Sequence, residues 1–508
     1  MNLMNCKTFP TSLFSNFTQR RFLSFKYLYR DKKSKTLATD TALKHFDYYY
    51  EKCYGNHWPS IRLGLLSPKK YFAIVNNHVD FNSVEIELRQ IGSHNLRFIY
   101  MKNLKKIVQR KTRDDFVRSR KSFLNSTREQ NEDDEDQRVK GERKNRGLLI
   151  DSCYLDFVFL DLKLFESEAS ESESIEKFFT DHQNDDSDLE SNNAASFDLD
   201  LNSFVPVTEL KYREDVIEET KFDLYNLDQD EEFVVEFQEE NILNIPELLN
   251  LYLFRSNDFT SFPKARLCEN NLFNYYLVDG ASTLPVLLLD IQDGDYVGDF
   301  CSAPGGKSLM MALTEKNCRL LLNDLSESRL RRLKNVFDSF IPKSNQSLIE
   351  FKNQDCCTLR RYDQFDKILV DVPCTNDRHS LFNNENNLFH PQRFEERLRL
   401  PMRQMKILIE AMKSVRVGGT IVYSTCSLSP IQNDGVVHMA IKQLQNAPVE
   451  YGKTDGELSF KVVKTKEALR PLRSIFHMFN NSRYGVQILP NICNNYGPMY
   501  ISKLVRVT

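Results

Sequence analysis

The chain has no run of about 18 or more uninterrupted apolar residues, so no segment of it reads as a bilayer-spanning helix. It has no C-x-x-C pair; adjacent Cys356 and Cys357 lack the spacing of a zinc site, and no resident metal is expected. The 11 cysteines form no compact secreted framework, which points to a reducing compartment with free thiols. Neither G-x-G-x-x-G nor G-x-x-x-x-G-K-[ST] is present, which disfavours a dinucleotide or a nucleoside triphosphate. The single Trp, Trp58, reads as core. Acidic residues are absent before Asp31, while Lys7, Arg20, Arg21, Lys26 and Arg30 are interspersed with six Ser/Thr and recurring Leu and Phe. That is the profile of a mitochondrial presequence over residues 1–35, and it implies a matrix location.

A net charge of −3 conceals a strong asymmetry. Residues 151–240 hold 28 Asp/Glu against 5 Lys/Arg, whereas the other residues hold 63 basic and 43 acidic groups. Outside that block the chain is basic, which suits a polyanionic partner such as nucleic acid. Residues 36–101 read as an ordered N-terminal helical extension, with a helix over Ala42–Tyr50 and a turn after Ser67. Residues 102–250 are too charged to bury much surface and read as a largely disordered acidic insertion. Two apolar islands in it, Tyr154–Leu164 and Phe233–Phe237, are candidate strands.

From about residue 251 to 508 short apolar runs alternate with helical stretches. Asp295–Phe300, Arg319–Asp324, Phe365–Asp371 and Gly419–Tyr423 read as strands; Lys307–Leu313, Ser326–Phe340 and Pro401–Val415 read as helices. Such alternation predicts right-handed βαβ units and an α/β fold with a doubly wound, mostly parallel sheet. Gly485–Leu489 and Pro498–Arg506 read as a closing antiparallel pair.

In such sheets ligands bind beyond the carboxyl ends of the strands. The Cys-Ser-Ala-Pro-Gly-Gly-Lys loop (301–307) has paired glycines that admit a ligand close to backbone. Asp324, Asp355 and Asp371 end three successive strands, where carboxylates suit ribose hydroxyls, an adenine amino group and a cationic amino acid. Together they describe S-adenosyl-L-methionine.

Two thiols also fall at strand ends: Cys374 in Val-Asp-Val-Pro-Cys (370–374) and Cys426 in Ser-Thr-Cys-Ser (424–427). A thiolate adding to carbon 6 of cytosine would make carbon 5 nucleophilic enough to accept a methyl group. A free thiol needs a cationic field to ionise near neutrality, and Lys307 and Arg378 are candidates for it. Chemistry alone leaves open which thiol attacks, and a pair of core cysteines is the plain alternative.

These motifs, with Trp58-Pro-Ser-Ile-Arg62, Lys70–Asn77, Tyr275–Ser282, Asn323–Ser326, Asp371–Leu381 and Tyr423–Leu428, resemble the Nop/Sun RNA cytosine-C5 methyltransferases. Within that family they are most similar to the branch that acts on mitochondrial ribosomal RNA. The resemblance covers about residues 40–100 and 250–508. It implies a class I, Rossmann-like methyltransferase fold, with Cys426 as nucleophile and Cys374 assisting release. Gly305, Gly306, Lys307, Asp324, Arg329, Asp355, Cys356 and Asp371 would line the cofactor site. It also implies small-subunit ribosomal RNA as substrate, association with mitochondrial ribosomal subunits, and a helical-repeat partner of the mitochondrial transcription-termination-factor family. A ribosome-assembly scaffold with incidental activity and a transfer RNA methyltransferase are the rival readings.

Overall fold

Aromatic residues at helical spacing open the fold. Helix α1 (Ala38–Tyr54) buries Phe46, Tyr49, Tyr50 and Tyr54, and α2 (Trp58–Leu66) buries Trp58 and Ile61. They form one cluster with Phe389, Leu428 and Leu489 from the C-terminal half. Trp58 is thus core, at 4% exposure. The structure, a computed structural model, describes residues 37–110, 235–445, 458–479 and 481–508. They belong to one compact unit made of residues 1–112 and 211–508; a second unit, 113–210, lies outside the described residues. The presequence read over 1–35, the apolar island Tyr154–Leu164 and most of the acidic insertion also lie outside them.

The N-terminal segment is more than helical. After α2 come strand β1 (Tyr71–Val75), helix α3 (Phe81–Gln90), the short strand β2 (His94–Asn95) and helix α4 over 96–110. Strands β1 and β2 join β4 (Leu251–Leu253) and β5 (Tyr275–Asp279) in a four-stranded antiparallel sheet, ordered β2-β4-β1-β5. A four-residue buried run, Phe72–Val75, drives this pairing. The ends of the stretch read as an acidic insertion are likewise folded. Residues 102–110 continue α4, and β3 (Glu236–Glu239) pairs in parallel with β11 (Phe460–Lys464). Glu240 then anchors Lys503 at 2.7 Å.

The larger sheet has ten strands. Its main path runs β12 (His477–Phe479), β13 (Val486–Leu489), β14 (Met499–Arg506), β10 (Val415–Thr425), β9 (Phe365–Asp371), β6 (Tyr296–Asp299), β7 (Arg319–Asn323) and β8 (Ile349–Lys352). Pairs β10–β9, β9–β6, β6–β7 and β7–β8 are parallel. Strand β14 pairs antiparallel with β10 and β13, which supplies the expected antiparallel edge. This is a mixed α/β, Rossmann-like sheet with an N-terminal helical segment, the architecture of class I methyltransferases.

Helices cover both faces. On one, α5 (Leu284–Leu289), α6 (Gly306–Ala312) and α7 (Glu327–Phe340) pack into a single cluster. Helix α7 is fixed by its pattern: Ser326 caps it, and Leu330, Leu333, Phe337 and Phe340 form a buried stripe. Each such side chain contributes roughly 1.5–3 kcal/mol through burial. On the other face lie α9 (Phe394–Ser414) and α10 (Asp434–Gln445). A short helix, α8 (Asp377–Phe382), follows β9 and packs on α1.

Candidate active site

Parallel strands deliver their carboxyl ends to one edge, and the order reverses between β6 and β9, where a crevice opens. Strand β6 ends in Asp299, β7 is followed by Asp324, β9 ends in Asp371, and Cys426 follows β10. Two cavities meet there. One of about 660 Å³ is lined by Ala303, Pro304, Arg329, Pro373 and Cys374; one of about 330 Å³ is lined by Asp299, Gly305, Gly306, Lys307 and Asp279. Cys301, Ala303, Pro304, Asp371, Asn376 and Cys426 line both.

The glycines in the 301–307 loop are required by space as well as conformation. Gly305 has φ +113, and a Cβ there would meet Leu333 Cδ1 at 2.7 Å. A Cβ on Gly306 would lie 3.2 Å from Tyr276 Cε1. Lys307, one residue into α6, extends to Asp371, with Nζ 2.8 Å from Oδ2. Ser424 Oγ donates to the other oxygen of Asp371, also at 2.8 Å. Burial works against the Lys307 charge, but Asp371 and, further down, the Cys426 thiol outweigh it and raise its pKa.

The thiols of Cys374 and Cys426 are 3.0 Å apart, farther than a disulfide of about 2.05 Å, and both are free. Their contact is the largest cause raising the Cys426 pKa well above its ordinary value; burial and Asp371 add to this, and Lys307 opposes it. Arg378 lines the smaller cavity with Cys426, but it bonds to neither thiol. Its Nε donates to Gly497 O at 3.0 Å, Nη1 to Gly64 O at 3.0 Å and Ser67 O at 2.9 Å, and Nη2 to Asn495 Oδ1 at 2.8 Å. Its donors are thus taken up by oxygens of the 64–67 and 495–497 segments, and its expected part in the cationic field at the thiols rests on the cavity it shares with Cys426.

The loops carrying the thiols are tied together through Asp377, a fully buried carboxylate. It accepts from Thr375 Oγ1 at 2.5 Å, from Leu428 N–H at 2.6 Å, from Tyr50 Oη at 2.8 Å and from Ser427 Oγ at 3.2 Å. Thr375 adjoins Cys374 and Ser427 adjoins Cys426. Burial raises the Asp377 pKa and these four donors pull against it.

The remaining site candidates divide. Asp324 is 2% exposed; its Oδ1 accepts from Ser326 N–H at 2.9 Å, and its Oδ2 lies 3.3 Å from Ala303 N and 3.5 Å from Arg329 Nη1. Arg329 also donates to Ala303 O. Asp355 and Cys356 stand after β8 and, like Asp324, line neither cavity; Asp355 caps a turn by accepting from Cys357 N–H at 3.0 Å. Asp355, Cys356 and Cys357 bring three donor atoms within 4.8 Å of one another.

Sequence reading passed over Asp299. Ser308 Oγ donates to its Oδ2 at 2.7 Å, while Oδ1 is buried with no partner among the described residues. Burial raises its pKa to about 7. The available signal was an acidic residue closing the strand before the glycine loop. An unpaired buried carboxylate oxygen, the Asp371 carboxylate and side-chain-free backbone at Gly305 and Gly306 fit a ligand carrying both a sulfonium and an ammonium group.

A Rossmann-like sheet with this donor set and two free thiols at its ligand edge defines a class I S-adenosylmethionine-dependent methyltransferase. Residues 286–505 match the family profile described as 16S rRNA methyltransferase RsmB/F. The chain is 32% identical over 504 residues to the 5-cytosine rRNA methyltransferase nsun-4 of Caenorhabditis elegans, covering 97% of each. It is 31% identical to the 5-cytosine rRNA methyltransferase NSUN4 of Xenopus laevis, covering 95% of this chain and 94% of the relative. The mitochondrial tRNA (cytosine(34)-C(5))-methyltransferase of Mus musculus is 33% identical across 51% of this chain and 71% of its own. The chain belongs to the Nop/Sun family of S-adenosylmethionine-dependent RNA cytosine-C5 methyltransferases.

Proposed function

We propose that the enzyme forms 5-methylcytosine in mitochondrial small-subunit ribosomal RNA, with Cys426 as the attacking thiol. The observation that carries this reading is the pair Cys374–Cys426, 3.0 Å apart beside the Lys307–Asp371 ion pair. Carbon 6 of cytosine is shielded in a stacked helix, so the target base arrives unstacked or from a single strand. The Cys426 sulfur bonds to carbon 6, and electron density moves to carbon 5, which takes the methyl group. Loss of the carbon-5 proton then re-forms the double bond and expels the thiol, a step Cys374 assists. Lys307 stabilises the attacking thiolate, and Asp371, held by Lys307 and Ser424, touches the base.

S-adenosyl-L-methionine, when bound, supplies the electrophilic methyl group. Gly305, Gly306, Lys307, Asp324, Arg329 and Asp371 would hold it, joined by Asp299, with Asp355 and Cys356 reached only by the part of it that extends past the two cavities toward the end of β8. Two relatives matched over 95% or more of this chain are named as rRNA enzymes, and this supports ribosomal over transfer RNA. The reading places the enzyme in the mitochondrial matrix, in contact with ribosomal subunits, with a helical-repeat protein of the transcription-termination-factor family presenting the RNA.

The test is incubation of the purified full chain with radiolabelled cofactor and ribosomal RNA, with and without that partner. It is paired with bisulfite sequencing of mitochondrial RNA after depletion. A single lost 5-methylcytosine in the small-subunit RNA supports the reading. Loss only in transfer RNA, or no incorporation anywhere, overturns it.

A further inference from the structure

Helix α8 leaves the Cys374 loop with Asn376, His379 and Phe382 facing solvent at a spacing of three. Phe382 is 45% exposed. Facing it is segment 66–69, which ends in exposed Lys69. The groove between them, about 340 Å³, is lined by Lys69, His379, Phe382 and Asn383. It runs into the catalytic crevice: Asn376 lines this groove and both cavities, His379 is shared with the larger cavity and Lys69 with the smaller.

The far wall is held from beneath. Arg378 takes the carbonyls of Gly64 and Ser67, and Asn495 Nδ2 donates to Gly64 O at 2.9 Å, Ser67 O at 3.1 Å and Pro68 O at 2.8 Å. These bonds turn the backbone of the wall inward and fix its position against α8. Among the described residues, neither the Lys69 nor the His379 side chain has a carboxylate or hydrogen-bond partner; the Lys69 Nζ lies 5.0 Å over the Tyr71 ring.

We propose that this groove binds the nucleotide adjacent to the target cytosine, with its base stacked on Phe382 and its phosphate held by Lys69 and His379. The proposal rests on the reading that an unstacked cytosine is delivered to Cys426. Withdrawing a base from a stack strips one face of its neighbour. A ring about 9 Å along the helix from Asn376 replaces that face, and stacking on an aromatic side chain tolerates any base. Lys69 borders both this groove and the smaller cavity that reaches Cys426, a position suited to a phosphate between the two. A base beside a phosphate matches a ring beside a cation, in a groove continuous with the site where the same strand is modified.

The experiment uses the full chain, radiolabelled cofactor and short single-stranded oligoribonucleotides with a central cytosine. Two further oligomers are abasic on the 5′ or the 3′ side of it. Phe382→Ala raises KM for the intact oligomer roughly tenfold, with melting temperature and cofactor affinity unchanged. On one abasic oligomer, parent and variant converge. Lys69→Ala raises KM and lowers the salt dependence by about one phosphate contact. If KM stays within about twofold for both variants, or if Phe382→Ala shows an equal loss on both abasic oligomers, the groove serves another ligand and the proposal fails. Should the parent methylate none of the oligomers even with the helical-repeat partner added, the unstacked-target reading has failed instead. Fluorescence anisotropy with the same oligomers then decides the groove separately: weakened binding by Phe382→Ala supports it, and unchanged binding overturns it.

Discussion

The Tyr50 hydroxyl donates to Asp377 Oδ2 at 2.8 Å across 327 residues of chain, joining the first helix to the carboxylate that ties the two thiol loops together. Removing the donor leaves Asp377 three others, whereas removing the carboxylate strands three hydroxyls and an N–H inside the protein. Tyr50→Phe is expected to cost about 1 kcal/mol and Asp377→Ala about 3 kcal/mol. Urea unfolding followed by tryptophan fluorescence measures both. Equal losses would mean that Asp377 is not the hub of the network.

Cys426→Ala is expected to abolish turnover and adduct formation. Cys374→Ala is expected to leave the protein covalently attached to RNA, because the first bond forms and its elimination is slowed. A denaturing gel with labelled RNA reads both outcomes, and an adduct from the Cys426 variant alone would exchange the two roles.

The thiol pair also sets a pH dependence. Contact with Cys374, burial and Asp371 all favour the protonated Cys426, so little thiolate exists at neutrality. The thiolate fraction, and with it kcat/KM, should climb roughly tenfold per pH unit from neutrality toward pH 9. Replacing Cys374 by Ser removes the first of these causes and should shift the rise to lower pH, as followed by the rate of Cys426 alkylation. A rate independent of pH would contradict this account.

Asp299 titrates in the opposite sense to an ordinary paired carboxylate. Its pKa is raised to about 7 in the fold, against about 3.9 in an unfolded chain. The native state therefore holds the extra proton between those values, and stability without cofactor should fall as pH rises from about 4 to about 7. Cofactor affinity should run the other way, strengthening roughly tenfold from pH 6 to 8 as the carboxylate ionises opposite a cationic ligand. Calorimetry at several pH values tests this, and Asp299→Asn should flatten the profile.

Much of the sheet was legible because buried parallel strands advertise themselves as apolar runs between helical stretches. Phe365–Asp371 was read at both ends correctly, and Arg319–Asp324 to within one residue. Strand β1 was not assigned, because its partners arrive far along the chain: Ala73 pairs with Tyr252. The thiols, Lys307 and Asp371 were legible as motif residues at strand ends. Asp377 was not, since its meaning depends on Tyr50 and Leu428 reaching it from distant segments. The structural bonds of Arg378 were illegible for the same reason; its acceptors lie on the 64–67 and 495–497 segments.

That guanidinium has a kinetic corollary. The two segments it bonds flank nearly the whole described chain, and the 495–497 segment cannot be recruited until the C-terminal strands have been made and docked. Contacts of such long sequence separation close late. A nascent or partly threaded polypeptide therefore carries its reactive sulfurs on an unfinished ledge, and chemical competence arrives only when the last residues are in place.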